Sequence, residues 1–153
     1  MARVVADTSP LIALQQIGCL DLLETHFGSV LMPPAVAAEA LSVDRPEWLV
    51  ERPLTKPLPP EVAGAGLGSG ESAAIALALE LSADRVLLDE MPARNLAERL
   101  GLPLVGTLGI LLIAKRSGLI EAIREPMDAL RRTGFRMSTG LYEYLLQEAG
   151  EGP

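Results

Sequence analysis

Apolar residues in this 153-residue chain cluster into short unbroken runs set between longer stretches of helical periodicity. Residues 3–6, 29–32, 86–88 and 104–105 are brief, rich in valine and leucine, and show no inside–outside alternation, as expected of strands covered on both faces of a parallel sheet. Between them, helices are predicted over Ser9 to about Ile17, Leu20–His26, Ala35 to about Leu41, Glu71 to about Leu81 and about Pro92–Leu100. Another follows Thr107, which reads as its cap, and two more span about Leu119–Arg132, with a bend at Pro126, and Ser138–Ala149. Pro10 falls in the first turn of its helix, where a missing N–H costs nothing, and Gly18, Gly28 and Gly101 act as stops. Five prolines, at 46, 53, 57, 59 and 60, leave room before the next helix for at most one short strand, around Trp48–Val50. The stretch Gly64–Gly70 is a loop whose Ser69 or Gly70 caps the helix at Glu71. Strands alternating with helices at this spacing predict a three-layer α/β/α sandwich with a short, mostly parallel central sheet. One domain over 1–153 is expected, with the C-terminal helices from about 119–149 packed on it.

Composition sharpens this. Hydrophobic residues make up 49% of the chain but aromatics only 3%, so the core is built from Leu, Val, Ile and Ala. The one cysteine, Cys19, has no intrachain partner, and a reducing cytoplasm is the expected compartment. The apolar run after Met1-Ala2-Arg3 is too short for a signal peptide, and Leu108–Ala114 falls far below the roughly 20 residues that span a bilayer. A net charge of −7 argues against a broad electrostatic grip on nucleic acid. A polyanion would have to meet a local basic surface drawn from Arg94, Arg99, Lys115, Arg116, Arg131, Arg132 and Arg136, each of which could equally be a solvated helix position.

The chemistry lies in acids at strand and helix ends. Asp7 closes the first apolar run, and Asp89 closes Val86-Leu87-Leu88 in the same way. Ligands of open α/β sheets gather beyond the carboxyl ends of strands, which is where both would sit. Glu39 stands among alanines, and Glu71 in the first turn of the clearest helix. Each alone has a plain explanation as a cap, a helix-dipole partner or a solvated side chain. Brought into one cleft, like-charged pairs would cost on the order of 4 kcal/mol each at 4 Å and an effective dielectric near 20. A divalent cation removes that cost, and an all-oxygen set without histidine or cysteine suits Mg²⁺ or Mn²⁺ rather than zinc. Hydrolysis of a phosphodiester is the reaction such a centre commonly serves.

With those residues in place, the chain resembles the PIN-domain nucleases, particularly the small prokaryotic branch similar to VapC-type toxins of toxin–antitoxin pairs. The likeness is carried by VVADTSPLIAL (4–14), PPAVAAEAL (33–41), GSGESAAIALALE (68–80), LLDEMPARNLAERLGLPLVGTLGILLIAKRSGLI (87–120) and LRRTGFRMSTGLYEYLL (130–146). It implies Mg²⁺- or Mn²⁺-dependent cleavage of RNA, a homodimer and a small antitoxin protein covering the cleft. The family's four acids fall on Asp7, Glu39, Glu71 and Asp89, and Thr8 or Ser9 corresponds to its hydroxyl beside the metal. Glu90 stands where this branch commonly has a second aspartate, which makes it an additional candidate ligand, and Arg94 becomes a candidate phosphate contact. Met91-Pro92 is less polar than the corresponding family residues.

Other readings fare worse. The glycines at 64–70 follow no strand and lack both the third glycine of a dinucleotide fingerprint and the Lys-Ser/Thr pair of a P-loop. His26, beside Phe27-Gly28, has no nucleophile partner in the pattern. A receiver-like phosphoacceptor domain would need a lysine after its last strand, where this chain has Leu104-Val105-Gly106-Thr107. A non-catalytic module of the same fold, binding RNA or protein, is opposed by the presence of all four acids.

Overall fold

The computed structural model describes residues 2–40 and 45–152. Its elements run β1 (Val4–Ala6), α1 (Thr8–Gln16), α2 (Asp21–Phe27), β2 (Val30–Met32), α3 (Pro34–Glu39), β3 (Leu49–Glu51) and α4 (Pro60–Ala63). They continue through α5 (Ser69–Leu81), β4 (Arg85–Leu87), α6 (Met91–Arg99), β5 (Leu104–Val105), α7 (Thr107–Arg116), α8 (Arg124–Arg132) and α9 (Thr139–Glu148). All strand pairs are parallel, in the order β3-β2-β1-β4-β5, and helices flank the sheet to give the three-layer α/β/α sandwich.

That order places the site. From β1 the chain builds outward through β2 to β3, then crosses to the other side of β1 to form β4 and β5. The order therefore reverses between β1 and β4, which pair in register from Val4 with Arg85 to Ala6 with Leu87. Such a reversal opens a crevice beyond the strands' carboxyl ends, because the helices that follow the two strands leave on opposite faces. Asp7 extends the ladder one residue further, its N–H donating to the Leu87 carbonyl at 3.1 Å.

β1 is buried along its whole length, as its continuous apolar run requires, and nine of the thirteen residues of α5 are buried too. This helix packs against α3, α4, α6, β1 and β4, and its run of alanines lets the neighbouring backbones come close. No helix among the described residues is long and apolar enough to cross a membrane.

Four local expectations change. The proline-rich stretch holds the one short strand allowed there, β3, paired with β2, but it also ends in a short helix, α4, with Pro60 in its first turn. The penultimate helix begins at Arg124 rather than near Leu119, so Pro126 lies in its first turn and bends nothing. Gly68, not Ser69 or Gly70, is the N-cap of α5. Gly106, not Thr107, is the N-cap of α7, and Thr107 is fully buried. The expected end of α3 at Leu41 lies outside the described residues.

The C-terminal helices join the same core through Ile123, Met127, Leu130, Leu145 and Leu146. Beyond α9, the Glu151 carboxylate fastens the tail by accepting from Lys115 Nζ at 3.0 Å, the Ile123 N–H at 2.7 Å and the Arg124 N–H at 3.2 Å.

Candidate active site

Asp7 retains only 2% of its surface. Although it occupies the N-cap position of α1, its side chain makes no capping bond, so the plain explanation of this acid fails. Its Oδ1 is buried without a hydrogen-bond partner. Burial, followed by the charges of Glu71, Glu39 and Asp89, drives its carboxyl up to about 7, with the nearby Thr8 N–H offsetting part of that. All three other acids thus act on Asp7 by charge.

Each arrives from a different element. Glu39 is the exposed last residue of α3, with Oε1 3.5 Å from the Thr8 hydroxyl. Glu71, in the first turn of α5, accepts from the Gly68 N–H at 3.3 Å through Oε1, while its Oε2 is buried and unpartnered. Burial also raises the Glu71 carboxyl, partly countered by Gly68 and reinforced by Glu90 and Glu39. A side chain at residue 70 would displace Glu39: its Cβ would collide with Glu39 Oε1, the far end of a flexible side chain, and lie 3.2 Å from Thr8 Oγ1 and 3.4 Å from Asp7 Oδ1. Gly70 therefore brings the α5 backbone against three site residues at once.

Asp89 follows β4 and does not cap α6 either. Instead Thr107 holds it across the β4–β5 edge, the N–H donating to Oδ1 at 2.7 Å and the hydroxyl to Oδ2 at 2.6 Å. Its carboxyl is raised by burial and by Glu90, against the lowering effect of the two Thr107 bonds and of Arg94. Gly106 is the second bare position, where a Cβ would lie 2.7 Å from Arg94 Nη1 and 2.9 Å from Asp89 Oδ1. Thr107 was invisible as a site residue in the chain. It stands 18 positions from Asp89, and only the pairing of β4 with β5 joins them.

Ser9 lies half-buried in the first turn of α1 beside Thr8. Glu90 is exposed at the N-cap of α6 and acts on both Glu71 and Asp89 by charge. Arg94 spends Nη1 on the Leu88 carbonyl at 2.9 Å, which ties α6 to the end of β4. Three of the wider set of basic residues are engaged within the chain. Lys115 is paired with Glu151 at 3.0 Å, Arg116 with Glu148 at 3.6 Å, and Arg131 lies over the Tyr142 ring at 3.9 Å. His26 is exposed, edge-on to Phe27, and takes no part in the acid cluster.

The donors suit a hard divalent cation. They are carboxylate and hydroxyl oxygens, two of them buried without a partner, and among the described residues no lysine or arginine forms an ion pair with Asp7, Glu39, Glu71 or Asp89. Among the described residues no three acidic, histidine or cysteine side chains are grouped closely enough, as they stand, to hold a metal ion.

A family model described as a PIN domain matches residues 3–151, essentially the whole chain. None of the curated proteins compared with the chain matches it. The chain belongs to the PIN-domain family, whose members are generally nucleases and typically use divalent metals.

Proposed function

We propose that this PIN-domain chain is an endoribonuclease that hydrolyses RNA phosphodiesters with Mg²⁺ or Mn²⁺ held by Asp7, Glu39, Glu71 and Asp89. The observation that carries the reading is Asp7, a buried carboxyl at the sheet's switch point with an unpartnered oxygen and three other acids acting on it. Nothing in plain fold stability calls for that arrangement, since burying a carboxyl among like charges costs free energy unless a cation joins it. When bound, such a cation offsets the repulsion and supplies Lewis acidity to a phosphodiester oxygen and to an attacking water.

The chain's own groups do the rest. Asp7 and Asp89 set the position of the centre from adjacent strands, and Glu71 closes it from the first turn of α5. Glu39 and the exposed Glu90 complete its rim. The Thr8 and Ser9 hydroxyls, at the N-terminus of α1, orient a water or a phosphate oxygen by hydrogen bonding. Arg94 keeps guanidinium N–H groups beyond the one given to Leu88, and these serve a phosphate oxygen of the substrate. The likeness to VapC-type toxins supports a cytoplasmic homodimer whose cleft a small antitoxin covers.

The test is cleavage of end-labelled RNA by wild-type, Asp7→Asn and Asp89→Asn proteins, each with Mg²⁺, Mn²⁺ or EDTA. Cutting by the wild type alone, and only with metal, is expected. Binding of RNA with no cutting under any condition would leave a non-catalytic module, and cutting that persists in EDTA and in both variants would end the proposed chemistry.

A further inference from the structure

We infer that Thr107 is a positioning residue that holds Asp89 in its metal-binding orientation, an inference that rests on the nuclease reading above. Thr107 has no exposed surface, and all of its donor capacity goes to one carboxylate. Its N–H and hydroxyl take one Asp89 oxygen each, at 2.7 and 2.6 Å, so the carboxylate is fixed in rotation as well as in place. Each oxygen keeps a lone pair for a cation. The bare Cα of Gly106 makes the approach possible, since a Cβ there would stand 2.9 Å from Asp89 Oδ1. The N–H at Thr107 is also the first of the ten-residue α7, whose partial positive end favours the charged carboxylate. Partners of this kind fix how a ligand meets its metal, and their loss typically costs about 10–100-fold in affinity or activity.

A merely structural Thr107 would satisfy its own buried hydroxyl and affect nothing beyond folding. Thr107→Val, close in shape, keeps the N–H bond and deletes the other, while Thr107→Ser restores it. Mn²⁺ affinity is read by titration calorimetry, alongside kcat and KM for RNA cleavage at saturating metal. Thr107→Val is expected to bind Mn²⁺ about tenfold more weakly and to lose kcat with KM little changed, while Thr107→Ser stays within about threefold of wild type. In an Asp89→Asn background, Thr107→Val should add no further loss. Should Thr107→Val fail to fold, the serine variant and Thr107→Ala carry the comparison. Wild-type Mn²⁺ affinity in a folded Thr107→Val or Thr107→Ala protein, or equal losses with and without the Asp89 carboxylate, overturns the positioning role and leaves the nuclease reading standing. A wild-type protein that takes up no Mn²⁺ overturns both.

Discussion

Replacing Asp7 with asparagine preserves the shape of a buried side chain while removing its charge. The Asp7 carboxyl rises from 3.8 to about 7 on folding, so between those values the folded chain holds a proton more tightly than the unfolded one. Stability from this group therefore falls as pH rises from about 4 to about 7 and levels off above, a total of roughly 4 kcal/mol at 1.36 kcal/mol per unit. Asparagine escapes that penalty but leaves its own buried amide imperfectly bonded, at a cost of about 1–3 kcal/mol. The metal-free variant should then be about 1–3 kcal/mol more stable than wild type at pH 8, or roughly 2–10 °C in Tm. Near pH 5 the wild-type penalty shrinks to about 1–2 kcal/mol, and the difference should vanish or change sign. Urea and thermal unfolding in EDTA at pH 5, 6, 7 and 8 measure this directly. Added Mn²⁺ should reverse the order at pH 8, because only the wild type gains from binding. A variant less stable than wild type at pH 8 in EDTA, or a difference independent of pH, would refute the account of Asp7 as a carboxyl crowded by like charges.

Two further substitutions probe other joints of the structure. Gly70→Ala removes up to about 1 kcal/mol of helix-propensity cost but drives a methyl into Glu39, so a near-neutral Tm with Mn²⁺ affinity lowered about tenfold is expected by calorimetry. Glu151→Gln weakens the clamp on Lys115, Ile123 and Arg124, and should cost about 1–3 kcal/mol at pH 7. Those partners hold the Glu151 carboxyl below its ordinary value, so that loss should be present above pH 4.5 and fade as pH falls through the folded-state pKa, as acid and urea unfolding of the two proteins would show.

The features written locally in the chain were the legible ones. β1 and the acids that follow β1 and β4 stand out because a buried parallel strand shows as an unbroken apolar run, and its end is marked by the first charge. Proline misled in both directions, for one physical reason. Without an N–H it breaks a helix interior but suits a first turn, so Pro60 opens α4 and Pro126 sits inside the start of α8 where a breaker and a bend were expected. Despite the prolines between 46 and 60, the short strand allowed around Trp48–Val50 does form, because its pairing with β2 needs only Leu49, Val50 and Glu51. The two-point grip of Thr107 on Asp89 and the turn of Arg94 toward Leu88 are products of tertiary proximity, and no spacing along the chain announces them.

The site has a fixed jaw and a sliding jaw. Asp7 is anchored to the central strand, Asp89 is gripped at two points, and Glu71 rides on the most deeply embedded helix. Glu39 and Glu90 instead reach in from exposed helix ends. On the proposed nuclease reading, a cation would take its position from the embedded three, while the outer two would conform to whatever accompanies it. Differences in ion choice or in strand geometry between related enzymes of this build should accordingly be sought in the outer pair, with the inner three held constant.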